Sequence, residues 1–180
     1  MQKTINPTYI LHHNLIVNSL IELMKKYRFQ EITIKQIVEQ ADVSRQTFYR
    51  HFSSKEEIVE EYSYLLCQQL TDAIYSLSDK TLYTIALTYF KFWNEQKELL
   101  YLLKKSDSDF MLFESYKRII SKSLDILHEV ISAAIKPEQS DYINAFLIGG
   151  FYNVKLSWME HAFKETPEEM AMLIVKMMRN

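Results

Sequence analysis

The sequence predicts an all-α protein, with a three-helix N-terminal domain over residues 1–62 and a helical bundle over residues 63–180. Glycine and proline, which punctuate strands and loops, number only 2 and 3 among the 180 residues. Apolar side chains recur at spacings of three and four along most of the chain, which is typical of helices packed against a core. Side chains able to cap helix N-termini also precede several of these apolar segments.

Charge is unevenly distributed along the chain. The whole chain has a net charge of −2, whereas residues 1–55 carry eight lysines and arginines and four acidic residues, a net charge of +4. The remaining residues therefore sum to −6. A mildly basic head on an acidic body fits a partner that presents phosphates at one end.

The N-terminal sequence and the single cysteine bear on the compartment. MQKTINPTYILHHN lacks the apolar core of a secretory signal peptide, and no window reaches the roughly 18 apolar residues of a membrane span. Cys67 is the only cysteine and cannot form an internal disulfide, which favours a reducing environment and a buried, inert thiol. We therefore expect a cytoplasmic protein that contacts no membrane.

Helix starts follow one another closely in the N-terminal third. The first helix is expected over Thr8–Tyr27, on the spacing of its apolar residues. Thr33 with Gln36 has the spacing of a capping box, in which a hydroxyl and a side-chain amide each satisfy a backbone N–H. Ser54 with Glu57 has the same spacing and opens a longer helix, which we expect to reach about residue 77.

Two short helices, Ile34–Ala41 and Arg45–His51, are predicted with about three residues between them and Ser44 as the N-cap of the second. This spacing defines a helix-turn-helix, whose second helix lies in the major groove of DNA. We assign its apolar residues to the scaffold beneath the two helices. They are Ile34, Ile37, Val38, Ala41, Val43, Phe48 and Phe52.

Polar side chains dominate the remaining face of the second short helix. Arginine can bond guanine through two donors, and glutamine can pair with adenine. We therefore expect Arg45 and Gln46 to read base edges, with Thr47 close behind. A solvated face would have the same composition, so the spacing alone leaves both interpretations open.

Phosphate contacts are expected around this reading face. Tyr49, His51 and Lys55 place a hydroxyl, an imidazole and an ammonium where they could meet the DNA backbone. Thr33 and Lys55 also stand at helix starts, whose dipoles favour phosphate.

The segment TIKQIVEQADVSRQTFYRHFSSKEEIVEEY resembles the N-terminal domain of the TetR family of transcriptional regulators. The family pattern has a Thr-led helix, an Ala-Gly-Val-Ser turn, a Tyr-x-x-Phe ending and a Ser-Lys-Glu-Glu opening of the next helix. All four are present within residues 8–62, except that Asp42 replaces the usual glycine, and aspartate tolerates turn conformations. The resemblance implies DNA contacts by Thr33, Ser44, Arg45, Gln46, Thr47, Tyr49, His51 and Lys55.

The rest of the chain resembles, more loosely, the C-terminal domain of the Gram-positive branch of the same family. In that family, this domain serves dimerisation and effector binding. Helical periodicity and the N-cap sequence from Thr166 to Glu169 predict its later helices. They are expected over Leu82–Asn94, Lys97–Lys104, Phe110–Ile135, Asp141–Phe163 and from Thr166 onward.

The last two helices are expected to form a homodimer interface. Asp141–Phe163 is apolar on nearly all sides, so it must be covered on more than one face. Gly149 and Gly150 in mid-helix cost about 1 kcal/mol each relative to alanine, a cost that close approach of a partner backbone would explain. A methionine-rich stripe follows in the last helix. The alternative is that both helices complete the core of a monomer.

A dimer would place two recognition helices about 34 Å apart, as a palindromic operator requires. The resemblance therefore implies a repressor that is released or tuned by an effector. Aromatic residues could line an apolar effector cavity, although each is equally suited to plain core. They are Phe90, Phe92, Trp93, Phe110, Phe113, Tyr116, Phe151 and Tyr152. The alternative is a regulator without a small-molecule site, controlled by a protein partner such as a coactivator.

An enzyme is disfavoured by the motifs of the chain. Its five histidines form no HExxH sequence, and one cysteine excludes a Cys/His zinc pattern. The two glycines supply neither a P-loop nor a dinucleotide-binding loop. We expect neither a cofactor nor a metal ion.

Overall fold

The computed structural model describes residues 6–120 and 137–178, and all regular structure within these ranges is helical. The all-α prediction is confirmed. The helices are α1 (Pro7–Met24), α2 (Ile34–Ala41), α3 (Arg45–His51), α4 (Lys55–Tyr75), α5 (Leu82–Glu95), α6 (Lys97–Lys105), α7 (Asp109–Ile120), α8 (Ser140–Glu160) and α9 (Pro167–Met178), with 3-10 turns at Phe29–Glu31 and Pro137–Gln139.

Helix α1 is shorter at its C-terminal end than its sequence predicts. Asn6 caps its start by accepting a hydrogen bond from the backbone N–H of Thr8 at 3.0 Å. The helix ends at Met24 rather than near Tyr27, and the chain then forms the 3-10 turn Phe29–Glu31. No local pattern predicted this turn, which brings Phe29 into the core with 4% of its surface exposed.

The predicted capping boxes are largely confirmed. The Thr33 hydroxyl accepts from the N–H of Gln36, and the Gln36 side chain accepts from the N–H of Thr33 at 2.8 Å. At the start of α4, the N–H of Glu57 donates to the Ser54 hydroxyl at 3.2 Å. The Glu57 carboxylate reaches one residue further back than expected, however, and accepts from Ser53 at 2.6 Å, which lowers its pKa.

The described chain divides into two compact units. The N-terminal unit contains residues up to Ser63 together with Leu102–Leu112, which span the end of α6, the turn after it and the start of α7. The C-terminal unit contains Tyr64–Tyr101 and the residues from Phe113 onward. The sequence prediction divides the chain between residues 62 and 63, with α6 and α7 in the second domain.

The core of the N-terminal unit lies among α1, α2 and α3. Ile16 and Leu20 of α1 and Ile37 of α2 are fully buried, and so is Phe48 of α3. The turn between α2 and α3 depends on Asp42, which adopts the left-handed conformation with φ 52° and ψ 46°. Aspartate tolerates this conformation better than most side chains, as the sequence comparison with glycine at this position implied.

Aromatic side chains fill the core of the C-terminal unit. Tyr89 contacts Phe151 with ring centroids 5.2 Å apart, and its hydroxyl donates to the Phe151 carbonyl at 3.1 Å. The Lys155 side chain is fully buried, with its ammonium 4.2 Å from the Trp93 ring centroid. Cys67 is buried as expected, and burial raises the pKa of its thiol to about 12.

Helix α7 occupies the first part of the helix predicted over Phe110–Ile135, and the part after residue 120 lies outside the described residues. The capping box predicted at Thr166 is present, with its N–H donating to Glu169 at 2.8 Å. No helix in the described ranges has the length and hydropathy of a membrane span.

The conformation of Asp42 gives a stability test. We expect Asp42→Ala to lower the free energy of unfolding by about 1 kcal/mol, because a Cβ without a polar group is strained in this region. Asp42→Gly removes the same carboxylate without that strain and should stay close to wild type. Urea unfolding of both variants provides the comparison, and equal stability of the alanine and glycine variants would contradict the assignment.

Candidate nucleic-acid interface

Helix α3 is fixed at its N-terminus by its own side chains. The Ser44 hydroxyl accepts from the N–H of Thr47 at 2.9 Å, as the N-cap prediction requires. The hydroxyls of Ser44 and Thr47 are also hydrogen-bonded to each other, at 2.9 Å. Both hydroxyls therefore support the helix start, and the half-buried Thr47 follows the exposed Arg45 and Gln46 in the first turn of α3.

The scaffold residues lie beneath α3 as expected. Phe48 is fully buried and Phe52 is 1% exposed, while Val38 and Ala41 of α2 are also buried. Val43 is half-buried in the turn between the helices. Because this side of α3 packs against the core, the opposite face of the helix is exposed to solvent.

Three predicted contact residues form that exposed face, which we call the reading face: Arg45, Gln46 and Tyr49. Tyr49 is 51% exposed, and the Arg45 guanidinium donates to its hydroxyl at 3.5 Å. A guanidinium, an amide and a phenol on one short helix can bond base edges and phosphate oxygens. The geometry suits a surface that reads DNA.

Thr33 lies at the start of α2 and uses its side chain locally. Its hydroxyl donates to the Gln36 side chain at 2.8 Å and accepts from the Gln36 N–H at 3.3 Å. The Thr33 hydroxyl already uses its donor within the capping box, so a phosphate would have to compete with Gln36 for it.

His51 ends α3 inside a cluster of rings that the sequence did not predict. Its ring centroid lies 4.0 Å from that of Tyr9, 5.9 Å from that of His13 and 6.4 Å from that of His12. His12 and His13 are adjacent on α1, and both rings lie near that of His51. His13 in turn contacts the carboxylate of Glu61 at 2.8 Å.

The Lys55 side chain turns toward the protein. Its ammonium donates to the backbone carbonyls of Phe29 at 2.6 Å, Ile32 at 2.7 Å and Gln30 at 3.2 Å. It also lies 4.6 Å from the centroid of the Phe29 ring. Burial lowers the pKa of Lys55, an effect that Glu56 partly offsets. The sequence expectation of an ammonium directed at phosphate did not include these partners, which lie more than 20 residues away.

A second surface lies on the C-terminal unit, where α8 and α9 border an apolar groove of about 270 Å³. Phe146 and Met177 line it and are 71% and 61% exposed. Gly150 also lines it. A Cβ built on Gly149 or Gly150 would have no described atom within 4 Å apart from the neighbouring backbone of the same helix. Packing among the described residues therefore does not require glycine at these positions.

The methionine-rich stripe of the last helix is divided between core and surface. Met170 and Ile174 are buried, whereas Leu173 and Met177 are exposed. Across residues 6–120 and 137–178, no three His, Cys, Asp or Glu side chains converge as a metal site would require.

Comparison with family sequence models gives two matches. Residues 16–62 match the family described as "Bacterial regulatory proteins, tetR family". Residues 80–180 match "Transcriptional regulator C-terminal region". No curated protein sequence matches the chain.

Solved structures share the fold at low sequence identity. Lin0861 from Listeria innocua has a TM-score of 0.74 and 16% identity, covering 99% of this chain and 95% of its own. FadR from Thermus thermophilus, a transcriptional repressor in complex with lauroyl-CoA, has a TM-score of 0.61 and 20% identity, covering 92% of each chain. The dihydroxyacetone kinase operon activator DhaS has a TM-score of 0.60 and 16% identity, covering 94% of each chain.

The ring cluster predicts a pH dependence of stability. Burial, followed by the neighbouring His13, His12 and Arg50, lowers the pKa of His51 below its ordinary value of 6.5. The stability contributed by neutral His51 is therefore full above the ordinary value and is lost as the pH falls through the folded-state pKa.

We expect His51→Gln to lose less thermal stability than wild type between about pH 7 and about pH 5. His161→Gln, at the exposed C-terminal end of α8, is the matched control and should follow wild type. Melting temperatures across this range provide the measurement. Identical pH profiles for wild type and His51→Gln would rule out His51 as the responsible group.

Proposed function

The chain belongs to the TetR family of bacterial regulatory proteins, and it carries that family's helix-turn-helix for DNA binding. On this premise, we propose that it binds a palindromic DNA operator as a homodimer in the bacterial cytoplasm and represses transcription from it. An effector releases or tunes this binding.

The reading face is the observation that carries the proposal. Arg45 and Gln46 stand at the N-terminal end of α3, the part of a recognition helix that reaches base edges. The capped start of α3 and its buried underside hold these side chains in place. We assign base reading to Arg45, Gln46 and Thr47, and contacts with the DNA backbone to Thr33, Ser44, Tyr49 and His51.

The apolar groove between α8 and α9 supports the homodimer. Exposed aromatic and methionine side chains line the groove beside Gly150, and among the described residues no side chain fills the space next to Gly149 or Gly150. A second copy of the same two helices would bury these side chains and fill this space, as a two-fold interface does. A dimer also supplies the two recognition helices that a palindrome requires.

The control of DNA binding has two candidate forms. In the first, a small effector binds in the C-terminal unit. The second is control by a protein partner. Phe90 and Trp93 are fully buried and Tyr116 is 2% exposed, so these residues form close-packed core.

Selection of bound duplexes from a random DNA library tests the proposed function directly. We expect an inverted repeat whose half-sites are centred about 10 base pairs or a multiple of this apart. A reporter gene downstream of the selected sequence should be expressed less when the protein is present. Enrichment of no sequence would contradict DNA recognition, and increased expression would contradict repression.

Arg45→Ala tests the base-reading assignment. We expect a loss of about 1–3 kcal/mol in binding to the selected operator, together with relaxed preference at one base position of each half-site. Arg118→Ala removes the same side chain from the C-terminal unit and should bind as wild type does. Gel-shift titrations of both variants give the comparison, and unchanged affinity of Arg45→Ala would exclude Arg45 from base reading.

Gly150→Arg tests the dimer surface. Dimerisation would bury the charged side chain in the groove without an oppositely charged partner, so we expect monomers in sedimentation velocity. Gln69→Arg adds the same side chain to the exposed face of α4 and should remain dimeric. A stable Gly150→Arg dimer would place the interface elsewhere.

A further inference from the structure

The ammonium of Lys55 is enclosed by backbone oxygens of a single short segment. Its three partners are the carbonyls of Phe29, Gln30 and Ile32, at 2.6, 3.2 and 2.7 Å. A lysine ammonium has three N–H donors, so these three bonds can use all of them. The face of the Phe29 ring, 4.6 Å away, completes the enclosure.

These carbonyls lie at the end of a short helical turn, since they belong to the 3-10 turn and the residue that follows it. The Phe29 carbonyl also accepts from the N–H of Ile32 at 3.2 Å, and the last carbonyls of a helical turn have no partner within the turn itself. Phe29 and Ile32 are 4% and 1% exposed, so the segment is anchored in the core. Charge-assisted donors make strong bonds in such a setting.

The contact joins two elements that border the helix-turn-helix on opposite sides in the sequence. Ile32 is followed directly by Thr33, the N-cap of α2. Lys55 is the first residue of α4, which follows α3. One side chain thus ties the entry of the helix-turn-helix to its exit.

We propose that Lys55 is a positioning residue for operator recognition, whose ammonium sets the placement of α2 and α3 against α4 and does not pair with a phosphate. The proposal rests on the proposed function and refines the phosphate role expected for this residue. Recognition tolerates displacements of only about 0.5 Å in such side chains, so a loosened anchor misplaces Arg45 and Gln46. To donate to a phosphate, the ammonium would have to give up at least one of these three bonds.

Lys55→Met tests the proposal, because methionine keeps the unbranched stem and removes the donors and the charge. Lys26→Met is the matched control, since Lys26 is an exposed lysine of the same unit just after α1. In the free protein, we expect Lys55→Met to have a lower melting temperature than wild type and Lys26→Met to have the wild-type melting temperature.

Affinities are then measured well below the melting temperatures, over a range of salt concentrations. We expect Lys55→Met to bind the selected operator about ten-fold more weakly or worse, with its affinity and salt slope on non-specific duplex unchanged. A direct phosphate contact would instead lower the log–log salt slope by about 0.9, on any duplex. That result would overturn the proposal, and so would a loss of stability with unchanged operator affinity.

Nitrogen-15 NMR of the lysine ammonium groups gives a readout that stability alone does not move. We expect the Lys55 resonance to be protected from exchange in the free protein and to keep its chemical shift when operator is added. A large shift on binding would mean that the ammonium moves to the DNA. Failure to select any duplex would overturn the proposed function while leaving the melting difference of the free variants intact, so the two failures are distinguishable.

Discussion

The shortness of α3 is the constraint on which the DNA-binding unit depends. It has seven residues, whereas isolated helices of fewer than about 12 residues are marginal in water. Its order must therefore come from its surroundings: the Ser44 cap at one end and the buried rings of Phe48 and Phe52 beneath. Because those groups fill one side completely, the polar side chains on the other side have no competing role in the core. One face of these two helical turns thus stabilises the fold, and the other face presents the candidate DNA-contact residues.

The C-terminal unit divides its side chains in a comparable way at a larger scale. Tyr89, Phe90, Trp93, Phe151 and Trp158 pack on one another in its core, and the hydroxyl of Tyr89 binds a backbone carbonyl of α8. A separate set on α8 and α9 remains exposed, with Phe146 and Met177 the most prominent in the groove. Near-uniform apolarity along α8 therefore has two origins, one in the core and one in a surface suited to a partner. Composition alone cannot separate them.

Sequence reasoning succeeded where the determining interactions are local. The caps at Thr33 and Ser44 and the left-handed residue at Asp42 involve partners within about one helical turn, so their spacing is visible in the sequence. It failed where partners are distant: the carbonyls that bind Lys55 lie 23–26 residues away, and the rings around His51 come from α1. The candidate contact residues on α3 could be predicted because the local pattern places them on a short helix and the family resemblance implies what that helix does. Which of them touches DNA remains a prediction.

The low reactivity of the Cys67 thiol has a practical consequence. A buried thiol with a pKa near 12 carries almost no thiolate at neutral pH, so it reacts poorly with maleimides and with spin-label reagents. A cysteine introduced at the exposed position Gln46 would therefore be labelled selectively in the natural background. In a two-fold assembly, such labels would occur as one symmetric pair. Their dipolar coupling would then measure the separation of the two recognition helices of the free protein in solution, without removing any natural residue from the core.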